Sequence, residues 1–397
     1  MRFFRRSRSK KARSRDPTPQ PKADLRNEMM KTNIGAMAPV PLPPRRSSWP
    51  KAILLVIVML QHLPAYGFSH GEFIVFPNVN SVYRDKSIDL AGHHSLPKDR
   101  TEPTVDFFYS RDFKHLRLIS EFFVSSSKNH GAHFERLQVG WRLHQASNLW
   151  LGRFHNPLGY WNTQYHHGNY LETAISRPAA VSYEHDGGIL PMHVVGLRLT
   201  GDIKRGEGVF GYDLGVGLGP KLTEHSLAAM DIIDPEDSHK PVATLRLRYF
   251  PLEDGPDQFG IFFSRSTIPS KIIGDVEQTI AGAYVNWETG RLRLTSALYS
   301  IKHDLARNKD NRFVNGYLQL ELPFAGRWIV FARAEGGKGE NGDAFLAQVP
   351  AFPRERRLGG LRFEFRDYQA LKLELSNNRY LGNYSEQIQL QWSAVLP

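Results

Sequence analysis

The 397-residue chain contains no cysteine, which excludes a disulfide framework, thiolate nucleophiles and thiolate-ligated metal. Long apolar runs are almost as scarce. The run from Ala52 to Leu60 directly follows Lys51 and is too short to cross a bilayer unaided. Acidic residues are sparse only at the N-terminus, where residues 1–51 hold 14 of the 51 Lys and Arg but 3 of the 40 acids. The formal charge of +11 therefore belongs to that arm, and the remainder is balanced. A broad basic face for nucleic acid is excluded, because phosphate neutralisation needs positive charge spread over a folded surface. Catalytic signatures are wanting too: there is no HExxH, no Walker loop and no dinucleotide fingerprint opening a helix. Asp112, His115 and Ser120, or His225 and Ser226, could be assembled into a triad on paper. Neither serine sits in a G-x-S-x-G elbow, and 16 histidines make such coincidences expected. These absences argue against an enzyme and against a resident cofactor or metal.

Residues 1–51 are basic, rich in Pro and Ser, and without apolar periodicity, so they read as a disordered extension. Residues 52–67 read as the hydrophobic and cleavage regions of a signal peptide, cut after Gly67, where Ala65 and Gly67 supply the small residues. An uncleaved anchor, or a start at Met29, Met30 or Met37, is the alternative. Either way, residues 68–397 are expected outside the cytoplasm.

In that mature region the dominant signal is alternation of period two, bounded by Gly, Asn, Asp and Pro. Leu371-Lys372-Leu373-Glu374-Leu375 and Ile388-Gln389-Leu390-Gln391-Trp392 place apolar residues on one face and polar residues on the other. Fifteen such segments run from 104–110 to 385–395, with a weaker one at 72–77. Many have the length of a tilted bilayer-spanning strand. Tight links at 288–290, 323–325 and 367–369 alternate with long segments at 220–240, 301–311 and 336–355. Aromatic residues recur near strand ends, as at Trp141, Trp150, Tyr249, Phe250, Tyr284, Trp287, Tyr299, Trp328 and Tyr380. The fold class is therefore all-β, a transmembrane antiparallel β-barrel of 14 or 16 strands in the cell outer membrane; a soluble sandwich would share the alternation but not the charged inner face. The last strand lacks the terminal aromatic common in such barrels, since Trp392 is followed by Ser393 to Pro397.

One segment, from Leu151 to Pro178, loses the alternation and is rich in Asn, Gly, His and Tyr. Asn156-Pro157 and Gly159 mark a turn, and Asn169 to Ser176 has the spacing for two helical turns. Gly152, Arg153, Phe154, Pro157, Gly159, Tyr160, Trp161, Asn162, Tyr165, His166 and His167, with the stretch from Gly187 to Gly201, resemble a pattern in porin-like outer-membrane proteins of Gram-negative bacteria. The specific resemblance covers residues 135–220. It implies a porin-type barrel and carries no defined substrate.

The segment is expected to form an inward or mouth-capping loop near 155–178. Arg142, Arg153, His155, Asn162, His166, His167, Glu172, Arg177 and Arg198 are the candidates for lining or constricting a pore. His155, His166, His167, Glu172, His185 and His193 have metal-binding chemistry. Adjacent histidines in extended chain point opposite ways, however, so a hydrogen-bonded constriction is preferred to a metal centre. Glu184, His185 and Asp186 read equally well as solvated loop. The function these residues favour is a passive channel for small hydrophilic solutes or ions. The alternatives are a scaffold or binding partner in an envelope complex and, third, a barrel enzyme. The expected partners are outer-membrane lipid, the solutes and the barrel-assembly machinery; a homo-oligomer is left open.

Overall fold

A computed structural model describes residues 71–396, apart from 91–94, 127–130, 145, 166–167, 236–237 and 306–308. The arm at 1–51, the signal region at 52–67, His166 and His167 lie outside the described residues.

Sixteen antiparallel strands close into one barrel, each beside its sequence neighbours. They are β1 (Gly71–Arg84), β2 (Asp99–Phe113), β3 (Leu116–Ser125), β4 (Ala132–His144), β5 (Ser147–His155), β6 (His193–Arg205), β7 (Gly208–Leu218) and β8 (Pro241–Phe250). The second half comprises β9 (Gln258–Ile268), β10 (Val276–Thr289), β11 (Leu292–Leu305), β12 (Asn311–Ala325), β13 (Trp328–Lys338), β14 (Glu355–Arg366), β15 (Gln369–Tyr380) and β16 (Asn383–Ala394). The weak segment at 72–77 proves to be part of β1, which seals the ring against β16 through pairs such as Asn78 with Ser393 and Val82 with Gln389. Beyond those pairs, Val75 and Leu396 exchange both backbone hydrogen bonds, at 2.9 and 2.8 Å.

At one end most strands are joined by two-residue turns, as at 290–291, 326–327 and 367–368. At the other end the links are mostly longer, including 85–98, 156–192, 219–240 and 339–354. The link expected at 323–325 belongs instead to β12, whose pairing slips near Pro323 before the turn begins.

The alternation sorts side chains in the order opposite to that of a soluble protein. In β16, Ile388 and Leu390 are exposed while Gln387, Gln389 and Gln391 are buried. The same holds in β8, where Leu245 and Leu247 face out and Thr244 and Arg246 face in. A polar interior under an apolar outside is stable only where the outside meets lipid. Phe113, Trp141, Tyr249, Trp287, Phe324 and Trp328, all exposed, gather near the tight-turn end as an interfacial girdle. Tyr284, Tyr299 and Tyr380 do not join it. They are buried on the inner wall, where an apolar cluster takes up the first two.

Leu298, 58% exposed in the middle of β11, gives a direct check of the lipid-facing surface. Leu298→Arg should destabilise the barrel by about 2–4 kcal/mol in vesicle unfolding titrations. In a water-facing strand the same change would cost next to nothing, and that result would overturn the membrane assignment.

Candidate functional site

The described residues of the β5–β6 connection, 156–165 and 168–192, are largely buried and reach wall residues of β8 and β10–β16 from inside the barrel. It enters at Gly159, whose φ of +88° favours glycine; a Cβ there would lie 2.9 Å from the Tyr299 hydroxyl. One short helix follows, α1 (Trp161–Gln164). Asn162 Nδ2 donates to the carbonyls of Asn156, at 2.7 Å, and Met192, at 3.2 Å, tying the start of the loop to its end.

The helical spacing of residues 169–176 is not realised. The wall captures the backbone groups that a helix would have needed. Glu374 Oε2 accepts from the amides of Ile175 and Ser176, at 2.9 and 3.2 Å. Arg362 Nη1 donates to the carbonyls of Tyr170 and Glu172, and Lys372 to that of Asn169. The Thr173 hydroxyl donates to Glu321 at 2.6 Å. On the return path Arg333 donates to the Ser176 carbonyl, Arg356 to that of Arg177, and the Ala179 amide to Glu335.

Apolar packing fixes the other flank. Leu158, Trp161, Val181, Ile189 and Leu190 lie fully buried in one cluster with Phe262, Tyr299, Tyr317 and Phe331 of the inner wall. Phe345 and Phe352 from the 339–354 loop join them. Each such side chain contributes about 1.5–3 kcal/mol on burial, so the loop is a packed wall element. The barrel interior is consequently not uniformly polar, because the inner faces of β9–β13 are apolar where the loop docks.

The sequence-derived candidates divide into groups. Asn162, Glu172 and Arg177 meet in the loop, where Arg177 donates to Glu172 at 3.4 Å and to Asn162 at 3.5 Å. Burial holds the Glu172 carboxyl above its usual range despite the nearby Arg177 and Lys372. Arg153 and His155 sit at the loop end of β5, and Arg153 donates to the carbonyls of Glu135 and Met230. Arg198 belongs to a separate centre on β6–β8, pairing with Asp213 at 2.5 Å. Arg142 is exposed near the tight-turn end of β4, away from the loop, and does not join the site. Glu184, expected as solvated loop as readily as lining, is buried, whereas His185 and Asp186 are exposed. Burial opposes the Glu184 charge, but the His193 ring and backbone amides outweigh it and hold the carboxyl down to about 2.

Sequence reasoning did not single out Arg246, Glu335, Glu374 or Arg362 as partners of this loop, nor Asp213 as the partner of Arg198 and Arg246. The available signal was their place on the polar face of alternating strands, which marks them as inward without saying what they touch.

Between the loop and the walls of β1, β2 and β14–β16 remains a cavity of about 920 Å³. Its lining includes Arg84, Arg100, Glu102, Gln387, Gln389 and Gln391.

No family model and no curated protein matches the sequence. Solved structures match the fold over 82% of this chain. An anion-selective porin from Comamonas acidovorans does so with a TM-score of 0.56 at 12% identity, over 99% of its own length. The outer membrane channel DcaP of Acinetobacter baumannii matches at 0.53 and 9%, over 97% of its length. OmpF of Salmonella typhi, in complex with daunomycin, matches at 0.52 and 12%, again over 97%. The chain thus has the porin fold, and that fold with its lipid-facing band places it in an outer membrane.

Proposed function

We propose that the chain is a channel for passive diffusion of small hydrophilic solutes or ions, narrowed by the loop near 155–178, and not an enzyme. The polar cavity beside the loop carries this reading, because it leaves hydrophilic space inside the barrel next to the docked loop. Sixteen strands enclose more than their own side chains can fill. The cavity lining holds Arg84, Arg100, Arg177 and Arg356 against Glu102, Glu135, Asp186 and Glu224. With signs so balanced, the channel should discriminate only weakly between cations and anions.

Single-channel recording of the folded protein in a planar bilayer under a salt gradient tests this. Discrete steps with a small reversal potential are expected. A heat-modifiable, folded barrel that gives no steps would overturn the channel. That outcome would favour the second reading, a filled barrel serving as envelope scaffold, for which the apolar core around Trp161 and Tyr317 speaks.

A further inference from the structure

We propose that Glu135, His155 and His193 form a binding site for one divalent first-row transition-metal ion, set in the barrel wall where the inward loop leaves and rejoins it. The proposal goes beyond the channel, since the site would exist in a sealed barrel as well.

Strand register assembles the three residues. His155 is the last residue of β5 and His193 the first of β6, and the two are direct cross-strand partners. Their rings lie 5.3 Å apart at 72°. Glu135 comes from β4, the strand next to β5, and all three residues are at most 5% exposed. One ligand atom from each lies within 4.8 Å of the other two. Bonds of about 2.0–2.2 Å to a tetrahedral ion would place ligand atoms about 3.3 Å apart, so small side-chain adjustments bring these three onto the ion and leave the fourth position to water.

Supporting groups aim these ligands. His193 directs Nε2 at Glu135 Oε2, at 2.7 Å, while its Nδ1 lies 2.8 Å from Glu184 Oε2. A carboxylate behind a histidine fixes its ring and tautomer for metal binding at the other nitrogen. Glu184 is itself anchored by the amides of Met192 and His193, at 2.9 and 2.8 Å. The second oxygen of Glu135 lies 2.7 Å from His133 Nε2. Two of the three ligands are therefore held from outside the site.

Two imidazoles and one carboxylate match zinc, copper, nickel or ferrous iron, whereas calcium and magnesium favour oxygen ligands. Entry is available, since the cavity described above reaches Glu135, Tyr183 and His185. The convergence comes from three neighbouring strands and not from sequence spacing.

The test uses the full barrel purified in detergent, stripped with a chelator, dialysed, and titrated with Co²⁺ and Zn²⁺. One equivalent should bind, with visible cobalt absorption from a low-symmetry nitrogen and oxygen site. Glu184→Gln should weaken binding by about 10–100-fold, and Glu135→Gln and His155→Asn by more. Heat-modifiable migration verifies that each variant is folded. A folded wild-type protein that retains no metal would reduce His193 to a protonated clamp between two carboxylates and overturn the proposal. Metal binding unchanged in both Glu135→Gln and His155→Asn would overturn it equally.

Discussion

Asp213→Ala is expected to destabilise the barrel by about 3–5 kcal/mol, the typical cost of stripping one partner from a buried ion cluster. Asp213 stands on β7, fully buried, among three arginines. Arg198 reaches Oδ1 at 2.5 Å, while Arg246 and Arg248 reach Oδ2 at 2.8 and 3.4 Å. Arg246 is almost wholly buried, and its Nη1 also donates to Thr163 in α1 at 2.7 Å. Without the carboxylate, Arg198 and Arg246 would lose the counter-charge they share in a confined space, and Arg248 alone would keep an acidic partner, Asp202 at 2.9 Å. Chemical unfolding in vesicles reads the loss. Adding Arg246→Met should recover part of it, because an apolar residue of similar length removes the stranded charge. A change below about 1 kcal/mol for Asp213→Ala would show that the cluster is solvated and relaxes freely.

The second large effect concerns the loop. Glu374→Ala should raise the single-channel conductance several-fold and make it noisy. One carboxylate takes the Ile175 amide, the Ser176 amide and, at 2.5 Å, the Ser176 hydroxyl. Gln389 donates to both Ser176 Oγ and Glu374, so the contact is a knot between the middle of the loop and two strands. Removing it strands the buried Ile175 amide, at a cost of about 1–3 kcal/mol, and frees the half-buried Ser176, so the segment should swing away from the wall. An unchanged step size in a folded variant would show that this part of the loop does not set the bore.

How much of this was legible in the sequence differs from element to element. β15 and β16 could be read residue by residue, because lipid and lumen impose opposite chemistry on alternate positions. β1 was faint because Val75, Phe76, Pro77 and Asn78 are all buried in succession. Tyr284 and Tyr299 were misleading for a related reason. A docked loop makes part of the inner wall apolar, so an aromatic near a strand end points inward as readily as toward an interface. The loop was recognisable by its loss of period, but its contacts were not. Glu374 and Ser176 are far apart in sequence, and no local pattern announces that a wall carboxylate will take a loop amide in place of a helical turn. Asn162, Glu172 and Arg177 lie close in sequence and do meet within the segment, through bonds that their residue types alone did not specify. Arg142 was drawn in by charge alone.

The seam between β1 and β16 bears on how the protein comes into being. It joins Asn78 to Ser393, nearly the whole described chain apart, so its pairing carries the largest loop-closure cost and belongs to the end of assembly. Until then the inserting sheet has two open edges, and each backbone group left unpaired in hydrocarbon costs several kcal/mol. The seam therefore acts as a latch. A chain halted before Asn383 would lack the strand that seals β1 and would stay bound to whatever covers its edges or aggregate through them, which makes ring closure a built-in checkpoint on complete synthesis.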